Sequence, residues 1–195
     1  MANITTISIR ARYLSLLPWL FSEFYSIHLN TEGGRAAFDE EEFRQAAARL
    51  ELIVLASSKL GKRWGESGIT FGSLGSVLYY EELNHLMQSG NLDLELGTKG
   101  GQILSTYAMP CRGFGLLTTT AGNAAAPVRV EPRGLKLHQA RSKALLPDGL
   151  TRLIFDGGNL TIEALEAEGR FFSLGSRGVR AGHCPLKMYN PWQLL

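Results

Sequence analysis

Asp93 and Glu95 stand two residues apart, so an extended backbone places both carboxylates on one face, and Lys99 follows shortly. Paired acids with a lysine are the side chains of metal-dependent nuclease chemistry. That chemistry needs the lysine two residues beyond the acid on the same strand. Lys99 lies four residues beyond Glu95, across a turn, so the expectation is a solvent-facing strand. Cys111, Cys184, His28, His85, His138 and His183 are dispersed. No Cys-x-x-Cys and no close histidine pair offers half a zinc site. His183 and Cys184 are adjacent, and adjacent side chains diverge, so a buried thiol is the expected fate of each cysteine. "GTKGG" and "GSRGVRAG" have the composition of phosphate-binding loops but match neither the Walker pattern nor the dinucleotide fingerprint, and both read as turns. No catalytic constellation assembles, and no cofactor is expected.

Positive charge is the more informative pattern. In "PVRVEPRGLKLHQAR", residues 127 to 141, Val128 and Val130 alternate as a strand would, and Pro132 opens a basic, helix-favouring run. At 100° per residue, Arg133, Lys136 and Lys143 fall within an arc of roughly 80°, while Leu137, Ala144 and Leu145 take another side. Such a helix has one cationic face, which Arg129 on the strand extends. It can neutralise phosphates without reading sequence.

The net charge of +2 hides an asymmetry. Residues 1 to 120 carry 10 basic and 12 acidic side chains, and residues 121 to 195 carry 10 basic and 6 acidic. The last acid is Glu168, after which come Arg170, Arg177, Arg180 and Lys187. This polarity points to an acidic partner, of which nucleic acid, DNA or RNA, is the commonest. The candidate contacts are Lys99, Arg112, Arg129, Arg133, Lys136, Arg141, Lys143, Arg177, Arg180 and Lys187.

The elements that would carry these side chains follow from local signals. Apolar residues at 45% and charged residues at 19% fit an ordinary folded core. Two cysteines are too few for a disulfide framework, and the expected compartment is the cytoplasm. Tyr13 to Ser22 is apolar and follows Arg10 and Arg12, but it contains Pro18, precedes Glu23 and lacks a small-residue cleavage site. It is too short to span a bilayer and reads as part of a buried helix over 11–29, with an interfacial anchor as the second reading; no membrane partner is expected. "FDEEEFRQAAARLELIVLASSKLG" starts at a capping Asp39 with Glu42 in the capping-box position, flanked by Phe38 and Phe43 as a hydrophobic staple. Phe43, Ala47, Leu50 and Val54 share one face, and Gly61 ends the helix. Phe38, Phe43, Leu50 and Val54 should be largely buried.

A second helix is expected over Ser76 to Ser89. Leu92, Leu94 and Leu96 then alternate with Asp93 and Glu95 as a half-buried strand, "GTKGGQ" turns, and "ILSTYAM" returns as a strand ended by Pro110. "TRLIF", "NLTIEAL" and "RFFSLG" read as short strands of a small antiparallel sheet. No internal repeat is evident.

"EELNHLMQSGNLDLEL", a helix ending in Leu-x-x-Leu-x-x-x-Gly-x-Leu, is followed by the Gly-Lys turn and later by "VRVEPRGLKLHQAR". Over residues 38 to 146 this order resembles the winged helix-turn-helix superfamily. The resemblance implies that residues 91 to 109 form an antiparallel wing, turning at Thr98 to Gly101. It departs from the pattern in the recognition helix, which carries Glu81 and Glu82 and no Lys or Arg, leaving Asn84, His85 and Gln88 to read bases. The expected architecture is α+β, with N-terminal helices and a winged-helix-like core over 1–146. A small β appendage and basic tail would follow over 147–195. The expected function is nucleic-acid binding, mainly by backbone contacts through the basic helix, the wing and the C-terminal tail. The rival is an adaptor subunit that uses the same surfaces on a protein partner or on a second copy of itself.

Overall fold

A computed structural model describes residues 12–28, 38–66, 73–120, 122, 126–146 and 148–174. The protein is an α+β fold of seven helices and two small antiparallel sheets among these residues. Its axis is α2 (Glu40–Lys59). The Asp39 carboxylate accepts hydrogen bonds from the Glu41 and Glu42 amides at 2.9 Å each, taking up two of the amides that a helix start leaves unpaired. Beyond that cap α2 is buried on almost every side, Phe43, Leu50 and Val54 completely. Phe38 is only half-buried, its ring centroid 5.3 Å from that of Phe43.

Helix α1 (Arg12–His28) continues through Pro18 and lays Leu16, Leu17, Leu20 and Phe21 into the same core. Trp19 meets Phe155 and Phe172, and Phe21 stacks on Phe43 with ring centroids 4.4 Å apart. After α2 come α3 (Tyr80–Ser89) and β1 (Asn91–Asp93). The chain then forms α4 (Gln102–Gly113), β2 (Leu117–Thr119), β3 (Val128–Val130) and α5 (Pro132–Ser142). It closes with α6 (Leu150–Asp156), β4 (Asn159–Thr161) and α7 (Ile162–Glu168).

Residues 91 to 109 do not form the expected hairpin. Strand β1 ends at Asp93, and Gln102 to Met109 lie in α4. The burial pattern gives the reason: Ile103, Tyr107 and Cys111 recur every fourth residue and are buried, whereas Gln102, Ser105, Thr106 and Met109 are exposed. A strand would have buried alternate residues. The buried Glu51 carboxylate on α2 accepts from the Gly101 and Ile103 amides at 3.1 and 2.6 Å and so caps α4 from a distant part of the chain. Pro110 falls in the last turn, inside the helix.

The partner of β1 is β4, with Leu92 opposite Leu160. "TRLIF" is therefore not a strand but lies in α6, and only "NLT" of "NLTIEAL" is extended. Thr161 Oγ1 accepts from the Ala164 amide at 3.2 Å and starts α7 there. "RFF" lies in and beside a 3₁₀ turn. Both β1 and β4 follow a helix through Gly-Asn-Leu, at 90–92 and at 158–160, a self-similarity too short to read as a repeat.

The second sheet is a hairpin between α4 and α5, Leu117 opposite Val130 and Thr119 opposite Val128. The strand-to-helix switch at 127–141 is as expected, with Pro132 in the first turn of α5. Gly134 is required there, because a Cβ would come within 2.5 Å of the Leu116 carbonyl oxygen. That contact and the 2.9 Å hydrogen bond from the Glu131 amide to Leu116 O bring the ends of α4, the hairpin and α5 together. Helices α4 and α5 both pack on α1.

Candidate nucleic-acid interface

The basic residues of the fold divide by what they touch. Lys99, in the loop before α4, is exposed, but its Nζ lies 2.5 Å from Glu82 Oε1, and this hydrogen bond raises its pKa. Arg129 on β3 is exposed too and donates through Nε and Nη2 to Glu131 Oε1 at 3.0 and 2.7 Å. Their charges are neutralised on the spot. Arg44 pairs with Glu41, Arg63 with Glu166 and Arg152 with Asp156.

Arg141 points into the fold. Its Nη1 donates to Phe171 O at 2.7 Å, its Nη2 to Ser15 Oγ at 3.2 Å, and the guanidinium sits over the Phe172 ring. Burial, and then repulsion from Arg12, lower its pKa. Arg141 comes one helical turn after the buried Leu137, on the side of α5 that faces α1 and the 3₁₀ turn, so it is no part of the exposed face.

Arg133 and Lys136 remain exposed on the outer side of α5, and Lys143 follows in backbone that is still helical. None forms an ion pair with a described residue. Spacings of three and seven residues put all three on one stripe. Arg112, in the last turn of α4, is exposed, and its Nη1 lies 3.8 Å from Met109 Sδ. Arg177, Arg180 and Lys187 lie outside the described residues.

A triad whose acid precedes its other two members by 115 and 119 residues, so that no local signal joins them, holds α5 in place. Glu23 Oε1 on α1 takes a hydrogen bond of 2.6 Å from Ser142 Oγ and lies 2.8 Å from His138 Nε2. The His138 bond, with Ser142 adding to it, lowers the Glu23 pKa. Serine and histidine both spend themselves on one carboxylate oxygen, so the cluster fastens two helices and activates no nucleophile. Beside it runs an open groove of about 400 Å³ between α1, the hairpin and α5, lined by Tyr25, Val128, Val130, Leu135 and His138. The Tyr25 hydroxyl donates to Val128 O at 2.7 Å and ties the hairpin to α1.

Comparisons with protein-family models, with curated proteins and with solved structures find no match. The chemistry must be read from the side chains themselves. Cys111 is buried and burial pushes its thiol up to about 12, so the thiolate that nucleophilic attack requires is scarce at neutral pH. Asp93 and Glu95 are exposed, and Lys99 pairs with Glu82 instead of with them. Among the described residues no three His, Cys, Asp or Glu side chains converge as metal ligands, and no helix is long and apolar enough to cross a membrane.

Proposed function

We propose that the protein binds nucleic acid, chiefly through the phosphate backbone, with the outer face of α5 as the principal contact. One observation carries this. Arg133, Lys136 and Lys143 share an exposed stripe without an acidic partner among the described residues, whereas Arg44, Arg63, Lys99, Arg129 and Arg152 are each answered by a carboxylate. An unanswered cationic stripe is free to neutralise phosphates, and release of the cations condensed on the nucleic acid then drives association. Arg129 joins once phosphate competes with Glu131. The Glu23–His138–Ser142 clamp holds the stripe in place. The cytoplasm is the compartment this reading assigns.

Filter-binding titrations against duplex DNA, single-stranded DNA and RNA at rising salt test it. Reversing Lys136 and Lys143 to Glu should weaken binding similarly for unrelated sequences. Each lost phosphate contact should remove roughly 0.7–0.9 from the slope of log K against log salt. Absence of binding at low salt to all three polymers ends the proposal.

The adaptor reading draws on a different place. Val77 is 90% and Tyr80 64% exposed at the head of α3, beside the exposed Glu81, an apolar and acidic patch suited to protein and not to phosphate. Under that reading, Glu81→Lys with Glu82→Lys breaks a complex seen by light scattering after gel filtration, and the α5 reversals leave it intact.

A further inference from the structure

The proposed backbone contacts carry no sequence information by themselves. Helix α4 has a face that could supply it. Gln102, Ser105, Thr106, Met109 and Arg112 are all exposed and recur at helical spacing along one side, opposite the buried Ile103, Tyr107 and Cys111. These outward side chains match base edges in kind. Glutamine donates and accepts as adenine requires, and arginine donates twice to guanine. The hydroxyls of serine and threonine serve either, and a methionine can meet the thymine methyl.

Charge favours the same partner. No Asp or Glu occurs from Leu96 to Val130, a stretch that spans all of α4 and the hairpin. Helix α3, by contrast, exposes Glu81 on its outer side. The C-terminal end of α4, with Arg112, adjoins the start of α5, with Arg133, because Leu116 O meets both the Glu131 amide and the Gly134 backbone. The C-terminal end of α4 thus lies beside the first turn of α5.

The helix is also held stiffly. Glu51 caps it from below, and Arg44 Nη2 donates to Gly97 O at 3.0 Å and so fixes the preceding loop to α2. A recognition element needs that support, because base contacts fail when geometry loosens by about an ångström. At 1.5 Å rise per residue, twelve residues make a rod of roughly 18 Å, which the ~12 Å wide major groove of B-DNA accepts.

We propose that α4 enters the major groove of duplex DNA and reads sequence through Gln102, Thr106 and Arg112 while α5 grips the phosphates. This rests on the nucleic-acid reading above. The test is selection from a random duplex pool, followed by competition of the selected site against a scrambled one. The expected result is a defined motif and a preference that drops roughly tenfold or more in Gln102→Ala or Arg112→Ala. Affinity for the scrambled duplex should stay within about twofold in Gln102→Ala, whose replaced side chain is exposed and uncharged. A pool that binds but yields no motif overturns the inference and leaves backbone binding standing. So does a motif preference that survives both substitutions, or tighter binding to single-stranded DNA or RNA of the same composition. Failure of the unaltered protein to bind any polymer overturns both. Circular dichroism of each variant, unchanged for these surface positions, excludes unfolding as the cause of a loss.

Discussion

The interior around α2 and the outer face of α5 both carry charge, and they use it in opposite ways. Arg49 is buried, and its guanidinium donates to Phe155 O at 2.9 Å, Leu94 O at 3.3 Å and Ile154 O at 3.4 Å, so that one side chain holds the ends of two other segments. Glu51, two residues further along α2, caps α4, and the buried Glu168 accepts from the Leu150 amide at 2.6 Å and caps α6. Arg49, Glu51 and Glu168 each satisfy backbone groups that the neighbouring segments leave unpaired. On α5, Arg133 and Lys136 are exposed and pair with no acid among the described residues. The number of charged residues in a region therefore says little about binding. What matters is whether the charge is already spent.

The largest effect that would break this contrast is expected at Arg49. Its replacement by alanine strands three carbonyls and should cost about 3–5 kcal/mol in urea denaturation. A cost below about 1 kcal/mol would mean that the interior charge is idle. Glu51 comes next. Burial pushes its pKa up to about 7, against the hydrogen bonds from Ile103 and Gly101, which favour the carboxylate. Because the folded state holds that proton more tightly than the unfolded state, stability should fall as pH rises from about 4.5 to about 7, by up to about 3 kcal/mol. Glu51→Gln should remove the slope, as thermal unfolding across that window will show.

Arg141→Ala, which leaves Phe171 O without its donor, should cost about 1–3 kcal/mol and change the salt dependence of nucleic-acid binding little. Loss of a full phosphate contact in that variant would move Arg141 back among the binding residues. The smallest stability effect is expected on the outer face. Lys136→Glu with Lys143→Glu should shift stability by no more than about 0.5 kcal/mol while binding collapses. A marked loss of stability there would show that these lysines are spent after all.

Sequence made the interior's scaffold legible and left its connections hidden. The start of α2 was readable because its cap and staple lie within five residues, and α5 because Val-x-Val meets a proline. Helix α4 was misread as a strand because Ile103, Ser105 and Thr106 favour strand or turn locally, and the carboxylate that caps the helix is Glu51, fifty residues earlier. The partner of β1 stands across the chain at β4, and only the recurrence of Gly-Asn-Leu hinted at it. The candidate site shows the same division. That Arg133 and Lys136 share a face followed from periodicity. That Lys99 is bound to Glu82 and Arg141 to Phe171 required the tertiary structure, since nothing local pairs residues 17 or 30 positions apart.

The contacts of Arg49 also set a schedule for synthesis. Its acceptors on Ile154 and Phe155 lie 105 and 106 residues downstream. At a translation rate of roughly 5–20 residues per second, about 5–20 s separate the emergence of α2 from that of the carbonyls that complete its charge. Through that interval the nascent chain presents a helix, later buried on nearly every side, whose Arg49 lacks the carbonyls that will pair it, and burying that charge unpaired is costly. A holdase that shields α2 until residue 155 has emerged should therefore raise the yield of folded chain.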